Sequence, residues 1–270
     1  MSDHGHGKMF YRLTLNQRIQ HVVIMITFSM VVMTGFSLKF HGASWTYPLI
    51  KTFGGVFMAG RIHRASGVLL VGNFFYVLFY IILTTIPKVQ QVFKEKPPAN
   101  LKERILGIIM VIYGLPMVPD ANDGRNIVDF LRYAFFLSDK RPLYGKFQWK
   151  EKFDYLAVFW GTLAFLGTGP ILWFPSFWAN LGIPAFIINI ALIVHSDEAL
   201  LAAGVIYTWH LYNVALSPEK FPMYGTMLDG CLDEHLMMEE YPAEYIRIMI
   251  EDGENSPSIV QTSHGHGKQH

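Results

Sequence analysis

Cysteine is nearly absent. The chain of 270 residues has one, Cys231. A single thiol excludes an internal disulfide, an iron–sulfur cluster and covalent haem attachment through a Cys-x-x-Cys-His run. Any redox chemistry here needs a non-covalent cofactor held by other ligands. Charge is scarce as well: 16% of side chains are charged against 51% hydrophobic, too apolar a balance for an ordinary soluble domain. The uncharged residues come in blocks. Twenty residues (19–38) carry no acidic or basic group except His21, and twenty-three (65–87) carry none. Forty-two more (155–196) have only His195, and another twenty run from Ala199 to Pro218. The net charge of +1 says nothing about partners, and no feature points to nucleic acid.

A bilayer is crossed by roughly 20 apolar residues in a helix. Gly167-Thr168-Gly169-Pro170, with Pro175 and Pro184, breaks the longest block into a third span, a tight connection and the start of a fourth. The expected spans are 19–40, 62–87, 155–174 and 186–216. The first lacks a small-residue cleavage site after a short apolar core, so it is expected as a retained helix rather than a signal peptide. Lys and Arg number three before span one, four around the first connection, twelve in loop 88–152, none in the next connection and three in the C-terminal tail. That bias puts both termini in the cytoplasm.

The expected fold class is all-α integral membrane, a four-transmembrane-helix bundle with cytoplasmic amphipathic helices. Its parts would be an N-terminal tail (1–18), a four-helix domain (19–216, including loop 88–152) and an acidic cytoplasmic tail (217–270). In the loop, Leu101–Pro116 and Asn126–Leu137 read as helices on the membrane surface or as a small packed subdomain. The tail carries ten acidic residues up to Glu254, which suits a helix followed by a flexible end, and a docking surface. The termini echo each other, His4-Gly-His6-Gly-Lys8 and His264-Gly-His266-Gly-Lys268, as metal-binding runs or as solvated ends.

Four of the eleven histidines fall inside or at the edge of spans: His21, His63, His195 and His210. Ionisable groups in a membrane are costly and mark function by default. His21 starts span one on the inner side, and His63 starts span two on the outer side. Span four carries His195 early and His210 fifteen residues later, about 22 Å of rise and about 60° of rotation on a regular helix. Matching depths pairs His63 with His195 (outer) and His21 with His210 (inner). Two His pairs at two depths suit two stacked bis-His b-type haems, low-spin and six-coordinate, built for electron transfer. Gly35, Gly67 and Gly204 lie where they leave room for a macrocycle, though glycines also let membrane helices pack closely. Arg18, Arg61 and Arg64 flank the ligands as propionate partners or topology signals. Asp197 and Glu198 are expected at the outer aqueous edge.

LNQRIQHVVIMITFSMVVMTGF (15–36) resembles the first helix of the cytochrome b subunits of formate dehydrogenase and nickel–iron hydrogenase. GRIHRASGVLL (60–70) resembles their second, and VHSDEALLAAGVIYTWHLYN (194–213) their fourth. The resemblance covers residues 10–216. It is nearest to a branch with segments like SDKRPLYGKFQWKEKFDYLAVFWG and WHLYNVALSPEKFPM, whose members accompany multihaem c-type cytochromes. It implies a bacterial inner-membrane electron-transport subunit with two haem b, and a quinone site, as for menaquinone, beside the ligand matching His210. It also implies a multihaem cytochrome c or iron–sulfur subunit on the outer side, within a hetero-oligomeric complex. Where family members carry Asn-x-Gly-Gln-Lys, this chain has Gln148-Trp149-Lys150-Glu151-Lys152. Gln148, Lys150, Glu151 and Lys152 are the candidate quinone contacts, with an interfacial anchor as the plainer role for the lysines. The His195–His210 spacing is one longer than in some relatives, which a π-bulge or a tilted ring would absorb.

The expected function is transmembrane electron transfer between a cytoplasmic-side quinone and a periplasmic redox partner, with substrate-specific catalysis left to another subunit. A metal-ion or proton transporter using intramembrane His, Asp and Glu would gather its ligands at one depth. A cofactor-free membrane anchor would leave the four histidines unexplained.

Overall fold

A computed structural model describes residues 8–218, 220, 221, 223, 225–252 and 259–260. Strand β1 (Met9–Tyr11) leads into helix α1 (Leu15–Lys39), and a short α2 (Tyr47–Thr52) precedes α3 (Val56–Glu95). Then come α4 (Leu101–Tyr113), α5 (Ala121–Ala134), α6 (Trp149–Trp173), α7 (Pro175–Asn180) and α8 (Ala185–Gly204). Helix α8 runs on through two π-helical segments, Val205–His210 and Tyr212–Leu216. The C-terminal region holds α9 (Thr226–Asp229), β2 (Cys231–Asp233), α10 (Glu234–Glu240), α11 (Pro242–Arg247), a π-helical turn (Ile248–Asp252) and β3 (Ile259–Val260).

Four helices are long and apolar enough to cross a membrane: Leu15–Lys39, Val56–Glu95, Trp149–Trp173 and Ala185–Leu216. Their burial is inverted relative to a soluble protein. Thr27, Thr34, Ser37, Ser66 and Thr162 are buried, while Ile26, Leu69, Phe79, Trp160 and Ile193 face outward. Four of these hydroxyls donate to carbonyls of their own helices, Thr27 to Val23 at 2.7 Å, Thr34 to Met30 at 2.5 Å, Ser37 to Met33 at 2.8 Å and Thr162 to Val158 at 2.7 Å. Small polar residues inside and large apolar ones outside is the pattern of a multi-pass membrane protein.

Two boundaries differ from expectation. Helix α6 runs unbroken through Gly167-Thr168-Gly169-Pro170 to Trp173 and stops only before Pro175. A proline inside a helix forfeits one bond, and here the helix closes over it, the Phe174 amide donating to the Pro170 carbonyl at 3.0 Å. Helix α3 likewise passes through Pro87 and extends beyond both ends of its expected span.

By packing, the chain separates into two compact units rather than consecutive segments. One draws on 1–18, 108–153 and 223–270, the other on 19–107 and 154–222. The first is a small mixed unit around Phe10, Leu232, Met237, Tyr241 and Ile248. Its antiparallel sheet has the order β2-β1-β3, with Phe10 opposite Leu232 and Ile259. Such short strands carry too little alternation to be read from sequence, so the sheet was not expected. Gly230 makes the turn into β2: its φ is +85°, and a Cβ there would lie 2.5 Å from the Leu13 carbonyl oxygen. Helix α5 starts at a capping box. Asp120 Oδ1 accepts from the Asn122 amide at 2.6 Å, and Asp123 Oδ2 accepts from the Asp120 amide at 2.7 Å.

Candidate functional site

The second unit brings the four span histidines together as two pairs. His21 of α1 faces His210 with ring centroids 6.2 Å apart and planes at 44°. His63 of α3 faces His195 of α8 at 6.2 Å and 64°. A metal–imidazole bond is about 2 Å and the ring centre lies about 1 Å further, so two imidazoles on opposite sides of one ion have centroids about 6 Å apart. A tetrahedral ion would draw them to about 5 Å. Both separations match the opposed arrangement. Among the described residues no group of three or more His, Cys, Asp or Glu is placed to hold a metal ion.

The surroundings fix which ring nitrogen is available. His195 Nδ1 meets Thr168 Oγ1 at 2.9 Å, and that hydroxyl already gives its hydrogen to the Ala164 carbonyl at 2.7 Å. The imidazole is therefore the donor. His63 Nδ1 lies 3.1 Å from the Val31 carbonyl and 3.1 Å from Thr34 Oγ1, whose hydrogen goes to the Met30 carbonyl. His210 Nδ1 donates to Asp154 Oδ2 at 2.9 Å. With Nδ1 protonated in all three, each Nε2 keeps its lone pair for a ligand. His21 Nδ1 is buried without a hydrogen-bond partner. Four imidazoles in two opposed pairs are a donor set that fits two bis-His haem irons.

The two pairs lie far apart along the helices. Thr34, beside His63, is thirteen residues after His21 on α1, about 20 Å of rise. On the fourth long helix His210 closes the π-helical segment Val205–His210. A π turn holds one residue more than an α turn, so it absorbs the odd residue in the fifteen-residue spacing.

No model of a known protein family matches the chain, and neither does any curated protein. The chemistry of the site rests on its own geometry.

The glycines divide. A Cβ at Gly35 would come 3.2 Å from His63 Cε1, so this glycine makes room for the imidazole itself. At Gly67 and Gly204 a Cβ would meet no described atom within 4 Å, which suits the wall of a larger group. The arginines divide too. Arg18, in the first unit, donates to the Leu228 carbonyl. Arg61 lies over the Phe57 ring and Arg64 over the Trp173 ring, at 5.9 and 5.7 Å.

The run 148–152 belongs to the first unit, where its side chains are already engaged. Gln148 Nε2 donates to Glu240 Oε2 at 2.7 Å. Glu151 accepts from the Gln148 amide at 2.7 Å and from the Tyr241 hydroxyl at 2.5 Å. Lys150 lies 4.6 Å over the Phe130 ring. Lys152 Nζ binds Asp123 Oδ2 at 2.9 Å and Asp120 Oδ2 at 3.5 Å. The histidine-rich termini lie outside the described residues.

Sequence reasoning missed Asp154, Thr168 and Thr34, the acceptors behind three of the histidines. Asp154 was legible as the acid directly before span three, but nothing in one dimension paired it with His210. Glu198 departs from its expected place. Asp197 is at an exposed edge, 3.8 Å from Lys39 at the end of α1. Glu198, 100° further round α8, turns to mid-α6, where a Cβ on Gly161 would be 2.9 Å from its Oε1.

Proposed function

We propose that the chain is a membrane dihaem cytochrome b subunit that carries electrons between a quinone on the cytoplasmic side and a redox partner on the periplasmic side. One observation carries the reading: two histidine pairs at the same 6.2 Å separation. The resemblance of the three helix sequences points the same way. On this reading His63 and His195 hold the outer haem, and His21 and His210 the inner one. Haem, when bound, would supply an iron that accepts and passes on one electron.

The protein's part is to hold and orient. The acceptors at Nδ1 keep His63, His195 and His210 in the tautomer that presents Nε2 and restrict ring rotation. Arg61 and Arg64 supply cations for the outer propionates. Quinone, menaquinone on the family resemblance, would be met from the run 148–152, where Gln148, Glu151 and Lys152 would exchange a present partner for a quinone oxygen. Helix α4, with Ile105, Ile109 and Met110 exposed, and α5, with Val128 and Leu131 exposed, would lie on the cytoplasmic membrane surface. A multihaem cytochrome c or an iron–sulfur subunit fits the outer partner.

The test is the visible spectrum of the purified chain reduced with dithionite. A sharpened α band with two haems per chain by pyridine haemochrome is expected. An absent band, or one haem per chain, overturns the reading. A transporter needs its donors at one depth, and the separation of the two pairs along α1 disfavours it.

A further inference from the structure

The two histidine pairs differ in what stands behind them. In the outer pair Nδ1 donates to neutral oxygens, the Thr168 hydroxyl for His195 and the Val31 carbonyl and Thr34 hydroxyl for His63. In the inner pair His210 donates to a carboxylate, Asp154 Oδ2 at 2.9 Å. The other oxygen, Asp154 Oδ1, is buried and has no hydrogen-bond partner, so the carboxylate's strongest hydrogen-bond commitment on this side is to the imidazole.

A carboxylate that accepts from the distal nitrogen pushes electron density through the ring and makes the imidazole a stronger donor to its metal. A stronger donor favours the oxidised, more positive metal. A threonine hydroxyl or a peptide carbonyl does this far less. Two acids follow His195 on α8: Asp197 lies 3.8 Å from Lys39, the Glu198 carboxylate lies against Gly161, and the His195 Nδ1 bond goes to Thr168 and to neither acid. His21 has no acceptor at Nδ1 and adds nothing to either side of the comparison.

We propose that Asp154 is a positioning residue that makes the inner centre the lower-potential one of the two, so that electrons run from the inner pair to the outer. The proposal rests on the dihaem reading and gives it a direction: the chain oxidises quinol. One quinol becomes quinone by losing two protons to water on the inner side and two electrons. The electrons leave one at a time through the inner centre and then the outer, and reduce two one-electron equivalents of an oxidised c-type haem on the outer side.

The test is a potentiometric titration of the full-length purified chain, followed in the α band and by electron paramagnetic resonance. His63→Ala leaves the inner haem alone, and its midpoint is expected at the lower of the two wild-type values. His210→Ala leaves the outer haem, expected at the higher value. The reverse assignment overturns the proposal. Asp154→Asn keeps an acceptor oxygen and removes the charge. It is expected to raise the lower midpoint and shift the resonance of that haem, with the higher midpoint unmoved, and Asp154→Glu is expected to restore the low value. A lower midpoint indifferent to Asp154→Asn at full haem content overturns the proposal. If that variant loses the inner haem, the assignment from the two histidine variants decides alone. A wild-type chain with fewer than two haems overturns the dihaem reading itself, and the direction falls with it.

Discussion

At the residue scale, the histidines act as pairs and each pair is testable. His63→Ala or His195→Ala is expected to lose the same haem, and His21→Ala or His210→Ala the other, read as haem per chain and as the surviving spectrum. Loss of one haem by His21→Ala and of a different one by His210→Ala would break the pairing. Gly35 offers a finer test. Its Cβ would press on His63 Cε1 at 3.2 Å, a contact the ring relieves only by moving. Gly35→Ala should cost about 1–3 kcal/mol at that pair, seen as lowered outer-haem occupancy while the inner haem is retained. The histidines were legible because a titratable group in an apolar block stands out. Their acceptors were not, since threonine is common in such helices and contact between α6 and α8 has no signature in one dimension.

At the element scale, the π-helical segment Val205–His210 is the informative feature. One residue more than a regular turn requires lies between Gly204 and His210. Deleting Ile206 should restore an α-helical turn with His210 still facing His21, and two haems per chain should remain. Inserting an alanine at the same place should turn His210 away and leave one haem. Equal haem loss in both variants would mean that the π turn itself, rather than the orientation it sets, holds the ligand. Helix α6 carries the opposite lesson. Gly167-Thr168-Gly169-Pro170 looks like a break, yet Thr168 sits inside a continuous helix and holds His195. Packing against neighbouring helices outweighs the single hydrogen bond lost at Pro170.

At the scale of the whole molecule, the first unit is held by buried charge as much as by its apolar cluster. Lys152 and Asp123 are 8% and 7% exposed and bonded at 2.9 Å. Removing the lysine leaves the buried Asp123 carboxylate without its cation, and Lys152→Met should destabilise this unit by about 3–5 kcal/mol, measured by hydrogen exchange in α5; Asp123→Asn should cost less, because Asp120 still faces Lys152 at 3.5 Å. The unit should also be acid-sensitive. Burial pushes the Asp120 carboxyl up, but the Asn122 amide, Lys152 and the Asp123 amide outweigh it and hold the group below its ordinary value. Burial likewise raises Glu244, and Arg247 outweighs it. Carboxyls depressed in the folded state contribute stability that is full above their unfolded values, about 4, and lost as pH falls through the folded ones. Protection in α5 and α11 should therefore decline below about pH 4 and hold steady from pH 5 to 7. Burial raises Tyr144 to about 12, with the Trp149 hydrogen bond opposing and Glu240 and Asp129 adding to it. Its phenol should stay neutral in an ultraviolet titration where exposed tyrosines ionise.

The sequence by itself determined that four apolar stretches of this length form helices suited to a bilayer, and that two histidines share the last of them. Those follow from composition and from the 1.5 Å rise of a helix, which are local properties. Only the tertiary structure decided what stands behind each histidine, that the odd residue is taken up as a π turn, and that the run 148–152 is tied to Glu240, Tyr241 and Asp123. The contacts among these join residues 27 to 92 positions apart. They depend on how helices rotate and pack against one another, which no local pattern encodes.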